Sequence, residues 1–218
     1  MKRVLAVMTL GCVAVSAQTI NFDRQSPGPA VKDWTVAMTH EGGAPNWEVI
    51  ADPSAPSKPN VIAQTSTDNT SGRFPLAIYE KTLVVNGSVS VRFKPVSGER
   101  DQAAGIVWRY KDPDNYYIVR ANALEDNVVL YKVEGGKRIS LEPKGTPSKT
   151  YGVKHKVPKQ TWSTLKIDFD GPRFAVFLDA TKVMEVEDNT FSSAGKAGLW
   201  TKADSVTYFD DFIIEKRR

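Results

Sequence analysis

The chain has 218 residues, with 29 Lys and Arg against 25 Asp and Glu and a formal net charge of +4. Near-balance of this kind gives no clustered basic face for a nucleic-acid backbone, so nucleic acid is not an expected partner. The only cysteine is Cys12, which leaves no second thiol for a disulfide framework or a Cys-ligated metal.

The first 17 residues, MKRVLAVMTLGCVAVSA, read as a secretory leader. Lys2 and Arg3 form a basic start, and Val4 to Val15 is apolar but shorter than the roughly 20 residues that span a bilayer. Val15-Ser16-Ala17 supplies the small residues of a cleavage site. The expected mature chain is therefore 18–218, a single exported domain, secreted or periplasmic and without a transmembrane segment. Leu10-Gly11-Cys12 loosely suggests a lipoprotein site. Thr9 in place of Leu and an apolar run that continues beyond the cysteine argue against lipid anchoring through Cys12. A mature chain free of cysteine fits an oxidising compartment.

From there on, helical periodicity is nearly absent. Short apolar or alternating runs bounded by turn residues recur instead, the signature of strands. They fall at 46–51, 61–64, 76–79, 88–95, 105–110, 116–123, 128–133, 138–142, 161–169, 173–179, 181–187, 198–202 and 205–216. Gly135-Gly136 predicts a tight hairpin, and Asp170-Gly171-Pro172 a second turn. So many strands in about 200 residues predict an all-β, two-sheet antiparallel sandwich of jelly-roll type.

The stretch GIVWRYKDPDNYYIVRAN sets a register. A four-residue turn over Asp112–Asn115 pairs Tyr110 with Tyr117 and Trp108 with Val119. Ile106, Trp108, Tyr110, Tyr117, Val119 and Ala121 then share one face, toward the core. Arg109, Ile118, Arg120 and Asn122 share the other, an open face of the sheet. On that reading Arg120→Ala costs little stability, near the ±0.5 kcal/mol of surface changes, whereas Trp108→Ala costs roughly 3–5 kcal/mol.

Four stretches carry a family resemblance: WEVIADPSAPSKPNVIAQ, VSVRFKPVSGERDQAAGIVWRYKDPDNYYIVRANALEDNVVLYKVEGGKR, TWSTLKIDFDGPRFAVFLD and AGKAGLWTKADSVTYFDDFII. The chain resembles the concanavalin A-like lectin/glucanase superfamily, and within it the bacterial secreted laminin G-like or 3-keto-disaccharide hydrolase domain proteins. The resemblance implies two curved sheets with a concave face used for carbohydrate.

Glucanases of that superfamily place three acids at i, i+2 and i+4 on one strand, where period 2 aligns them. No such triplet occurs here. Glu185-Val186-Glu187 is followed by Asn189 at the third position, and Asp168-Phe169-Asp170 runs into a turn. Whether the chain is a glycoside (3-keto-disaccharide) hydrolase stays open. Glu125-Asp126 reads as a β-turn, His40 and His155 as surface residues, and Asp112-Pro113-Asp114 as a turn, since Tyr117 and Ala123 stand where a calcium loop needs Gly and Glu. No cofactor is required. A structural calcium is the one metal the sequence offers, with Asp23, Asp210 and Asp211 as oxygen ligands. A glycan is the expected ligand, since sugars need flat apolar faces and fixed polar groups. The expected binding set is Arg109, Arg120, Asn122, Tyr131, Trp200 and Lys202. A structural envelope protein without catalysis is the remaining alternative.

Overall fold

The structure is a computed structural model that describes residues 16–29 and 31–217. Most of the expected leader, Cys12 included, lies outside the described residues. Sixteen strands occur in chain order: β1 (Ser16–Ile20), β2 (Trp34–Thr39), β3 (Trp47–Ala51), β4 (Asn60–Gln64), β5 (Phe74–Val84), β6 (Gly87–Ser97), β7 (Ala103–Asp112), β8 (Asn115–Asn122), β9 (Asn127–Glu134), β10 (Lys137–Ser140), β11 (Val153–Lys154), β12 (Ser163–Asp170), β13 (Arg173–Leu178), β14 (Thr181–Glu187), β15 (Gly195–Trp200) and β16 (Val206–Lys216). They form two sheets of eight, ordered β14-β13-β12-β6-β16-β4-β3 with β1 also on β16, and β10-β9-β8-β7-β15-β5-β2 with β11 also on β9. Every strand pairing is antiparallel.

The two sheets differ in how their residues alternate. In the first, β12 buries Leu165, Ile167 and Phe169 and turns Thr164, Lys166 and Asp168 outward, the pattern of a sheet wet on one side. The intersheet core holds Trp108 stacked on Tyr117, with ring centroids 5.3 Å apart, and Phe174 edge-on to both. In the second sheet β8 and β9 are buried almost continuously. Alternate residues go to two different places: Tyr117, Val119 and Ala121 to the intersheet core, and Tyr116, Ile118, Val129, Tyr131 and Trp200 to a second apolar cluster on the outer face. The outer face of the second sheet is therefore filled, not open.

The β7–β8 register differs from the expected one. Trp108 pairs with Tyr117, Asp112 pairs with Asn115 around a two-residue turn, and a bulge lies between Trp108 and Asp112. Trp108 was expected opposite Val119, so the displacement is two residues. An even displacement keeps Ile106, Trp108, Tyr117, Val119 and Ala121 on the core face. The bulge reverses the facing of the next two residues. Arg109 takes a left-handed backbone, φ 49°, and turns toward the core side, while Tyr110 packs against the outer cluster. An extra residue in one strand does this by breaking the alternation locally. On the partner strand, a Cβ at Gly195 would lie 2.4 Å from the Arg109 carbonyl carbon, so the strands meet here only because residue 195 is glycine.

Candidate functional site

The outer face of the second sheet is organised by a polar chain. Lys202 donates to Asp101 Oδ2 at 2.7 Å, and Asn122 Nδ2 donates to Asp101 Oδ1 at 2.8 Å and Glu125 Oε1 at 3.2 Å. Arg120 Nη2 donates to Glu125 Oε2 and Asn127 Oδ1, both at 2.7 Å. Asn127 Nδ2 returns to Glu125 Oε2 at 2.9 Å. Arg120 and Asn122 are 0% exposed. This corrects the expectation of a solvent-facing row. The alternation names their face correctly, but the sheet curls neighbouring side chains over them. They hold the floor in place and do not present donors to solvent. Burial alone would raise the Glu125 carboxyl, but the Arg120 guanidinium and the Asn127 amide hold it below the usual carboxylate range.

Arg109 is not part of this set. It reaches the other end of the sandwich, where it donates to the backbone carbonyls of Phe191 (2.7 Å), Val85 (3.0 Å) and Gly171 (2.7 Å). Phe169 and Phe174 lie beside its guanidinium at 5.8 and 5.7 Å. Three loops are thus tied by one buried cation, a structural role created by the bulge.

Tyr131 and Trp200 do share the face with Arg120, and both are buried. Above them lies Arg138 of β10, a residue outside the expected binding set. Its guanidinium carbon sits 4.6 Å from the Tyr131 ring centroid, 4.7 Å from Phe74 and 6.0 Å from Trp200. Tyr131 and Tyr151 also meet through their hydroxyls. A cleft of about 700 Å³ opens over this stack, lined by His40, Ser71, Gly72, Phe74, Asp114, Gly135, Gly136, Lys137, Arg138 and Lys202. Of the six expected binding residues, only Lys202 lines it.

His40 fastens the cleft's rim. Its Nδ1 is 2.8 Å from the Gly72 carbonyl and its Nε2 is 2.8 Å from the Gly136 carbonyl. A ring protonated on both nitrogens satisfies both acceptors, and a neutral ring only one. No sequence pattern marked His40 or Arg138. Residues 40 and 72 meet the 135–136 hairpin only through the fold, and Arg138 is one of many exposed-looking cations.

The expected calcium ligands are arranged otherwise. Asp210 is wholly buried and accepts from Ser57 N (2.8 Å), Ser57 Oγ (2.9 Å) and the Asp211 N–H (2.8 Å). Burial pushes both Asp210 and Asp211 above the usual carboxylate range. Asp23 accepts from the Asn60 N–H at 3.3 Å. Among the described residues no three His, Cys, Asp or Glu side chains gather as a metal-ligating group. Asp210 thus spends acceptor positions on Ser57 and Asp211, while Asp23 and Asp211 are close enough for the Asp23 charge to add to the rise at Asp211.

A second cleft of about 470 Å³ lies on the outer face of the first sheet, lined among others by Asp168, Ala175, Glu185 and Arg173. Asp168 pairs with Ala175, and Ala175 with Glu185. Two acids thus flank a small residue. Each is ion-paired, Asp168 with Lys166 at 3.1 Å and Glu185 with Lys182 at 2.6 Å. The Lys182 contact holds Glu185 below the usual carboxylate range.

No family model matches the sequence, and no curated protein matches it. Solved structures do share its architecture. The carbohydrate-binding module CBM66 from Bacillus subtilis is 20% identical, over 84% of this chain and 95% of that one, with a TM-score of 0.62. A protein of unknown function with a galectin-like fold from Bacillus subtilis is 12% identical, over 92% and 100%, with a TM-score of 0.57. Domain 4 of AbnA, a GH43 extracellular arabinanase from Geobacillus stearothermophilus in complex with arabinotriose, is 15% identical, over 84% and 82%, with a TM-score of 0.51. At these identities the likeness is one of fold, and the chain is a two-sheet antiparallel jelly-roll sandwich.

Proposed function

We propose that the chain is an exported glycan-recognition protein, and that the cleft over the outer face of the second sheet is its binding site. The observation that carries this is the combination found there. Phe74 lines an open cleft together with half-buried Arg138 and Lys202, backed by the buried rings of Tyr131 and Trp200 and by the hydrogen-bonded polar chain that starts at Lys202. Flat apolar surface beside fixed donors is what sugar C–H faces and hydroxyls need. Support from the fold is that neighbours of the same architecture are a carbohydrate-binding module and an arabinanase domain in complex with arabinotriose.

Hydrolysis of 3-keto-glycosides, as in the family the sequence resembles, is the second reading. Asp168 and Glu185 on either side of Ala175 favour it, since strands two apart lie ~9–10 Å from one another, near the about 6.5–9.5 Å of inverting acid pairs. Against it, an acid held low by Lys182 is poorly suited to donate a proton near neutrality. Residues 18–218 applied to a glycan array, with product analysis on each hit, test both readings. Binding without turnover is expected. Turnover abolished by Glu185→Gln would establish the second reading, and an array without hits would remove the first. Export is tested by N-terminal sequencing of the protein from its native host, which is expected to begin at Gln18.

A further inference from the structure

We infer that the glycan taken by this cleft is acidic, with a sugar carboxylate facing Arg138. The inference rests on the glycan-binding reading and deepens it. It begins from a charge count. Lys137, Arg138 and Lys202 line the cleft against a single carboxylate, Asp114. Lys202 is neutralised from below by Asp101. No ion pair or hydrogen bond among the described residues engages the Arg138 guanidinium or the Lys137 amine.

The state of Arg138 differs from that of the fully buried arginines. Its neighbours are aromatic faces on three sides, which attract the cation but accept no N–H in its plane. Its Nη1 is buried and has no acceptor. The other large buried guanidiniums of the molecule are satisfied differently. Arg120 has Glu125 and Asn127, Arg109 has three carbonyls, and Arg73 has the carbonyls of Gly43, Ala44 and Ala203. Unlike those three, Arg138 lies over aromatic rings with no oxygen partner, and half-buried Arg92 on the first sheet likewise has an Nε without an acceptor. A stacked guanidinium keeps its N–H edge free, and that edge matches a planar carboxylate through two parallel hydrogen bonds. A neutral sugar would meet a bare cation there. A uronate supplies acceptors for the part of the guanidinium that faces the cleft and the countercharge together, while its ring lies beside Phe74.

The test is calorimetric titration of residues 18–218 with oligogalacturonate, oligomannuronate and oligoglucuronate, each beside its methyl ester. The ester keeps the sugar and removes the charge. At least one acid is expected to bind tenfold or more tightly than its ester, with affinity falling as salt is raised. Arg138→Gln is expected to erase that preference, Arg138→Lys to restore part of it, and Lys137→Ala to weaken the acid severalfold with little effect on the ester. Because Arg138→Gln could disturb the aromatic stack, Lys137→Ala, at an exposed position, gives an independent readout. Equal binding of acid and ester would overturn the inference and leave the glycan reading standing. So would an array whose hits are all neutral while every uronate fails. An array with no hits and no uronate binding would remove both.

Discussion

Arg120 shows what a single residue can and cannot reveal. Strand alternation places it correctly on the face opposite Trp108, but alternation says nothing of what covers that face. Period 2 is a property of one strand, whereas the covering groups come from the turn at Glu125 and from Tyr131 on the neighbouring β9. The surface-level cost expected from the sequence is therefore replaced by a larger one. Arg120→Ala takes the cation from Glu125, which keeps only the Asn122 and Asn127 amides, and the donor from Asn127 Oδ1, and a loss of roughly 2–3 kcal/mol is expected, somewhat under the usual figure for breaking a buried pair because Glu125 is partly exposed. Urea melts of the variant check this, and a change within 0.5 kcal/mol would mean the polar chain does not hold the floor. Asp204 gives a pH-dependent counterpart. Burial alone would raise its carboxyl, but the N–H groups of Arg100, Glu99 and Asp101 outweigh that and hold it low. A depressed folded pKa stabilises above the unfolded value, and that contribution disappears as pH falls through the folded value. Wild-type stability is thus expected to fall below the ordinary carboxylate range more steeply than that of Asp204→Asn, which should be less stable at neutral pH.

At the scale of elements, turn chemistry was legible and edges were not. Gly135-Gly136 does join Glu134 to Lys137, and Asp170 does pair with Arg173 across Gly171-Pro172, because glycine and proline encode turns through their own backbones. The strands β1, β2 and β11 escaped notice. β2 is an edge strand with Val36 45% exposed, so its burial pattern lacks the alternation that marks a strand. β11 has two residues, too few to carry a period. The β7 bulge was also invisible, since it depends on the glycine of a strand some 86 positions later. Gly195→Ala is expected to cost about 1–3 kcal/mol, as overpacking against backbone does, with chemical-shift changes centred on Arg109 and Phe191. If Gly195→Ala left both stability and those shifts untouched, the bulge would not depend on the missing Cβ.

For the molecule as a whole, composition and periodicity were enough for the two-sheet sandwich, because that architecture arises from many half-buried strands with nearby turns. The cleft needed three dimensions. Its rim joins residues 40, 72, 114, 138 and 202, and nothing in linear spacing announces such a meeting. The contact of Asp210 with Ser57, 153 positions away, is equally non-local. If Asp23, Asp210 and Asp211 hold calcium, EDTA lowers the melting temperature and excess calcium restores it, since a ligand of the folded state stabilises it. An unchanged melting temperature would remove Asp23, Asp210 and Asp211 as metal ligands.

Amide hydrogen exchange of residues 18–218, with and without a glycan that the array identifies, tests the placement of the site most directly. Protection is expected in Gly72, Gly136 to Arg138 and Lys202, around the cleft of the second sheet, with the first sheet unchanged. Protection confined to Asp168, Ala175 and Glu185 would contradict the account, because the ligand would then sit on the opposite sheet.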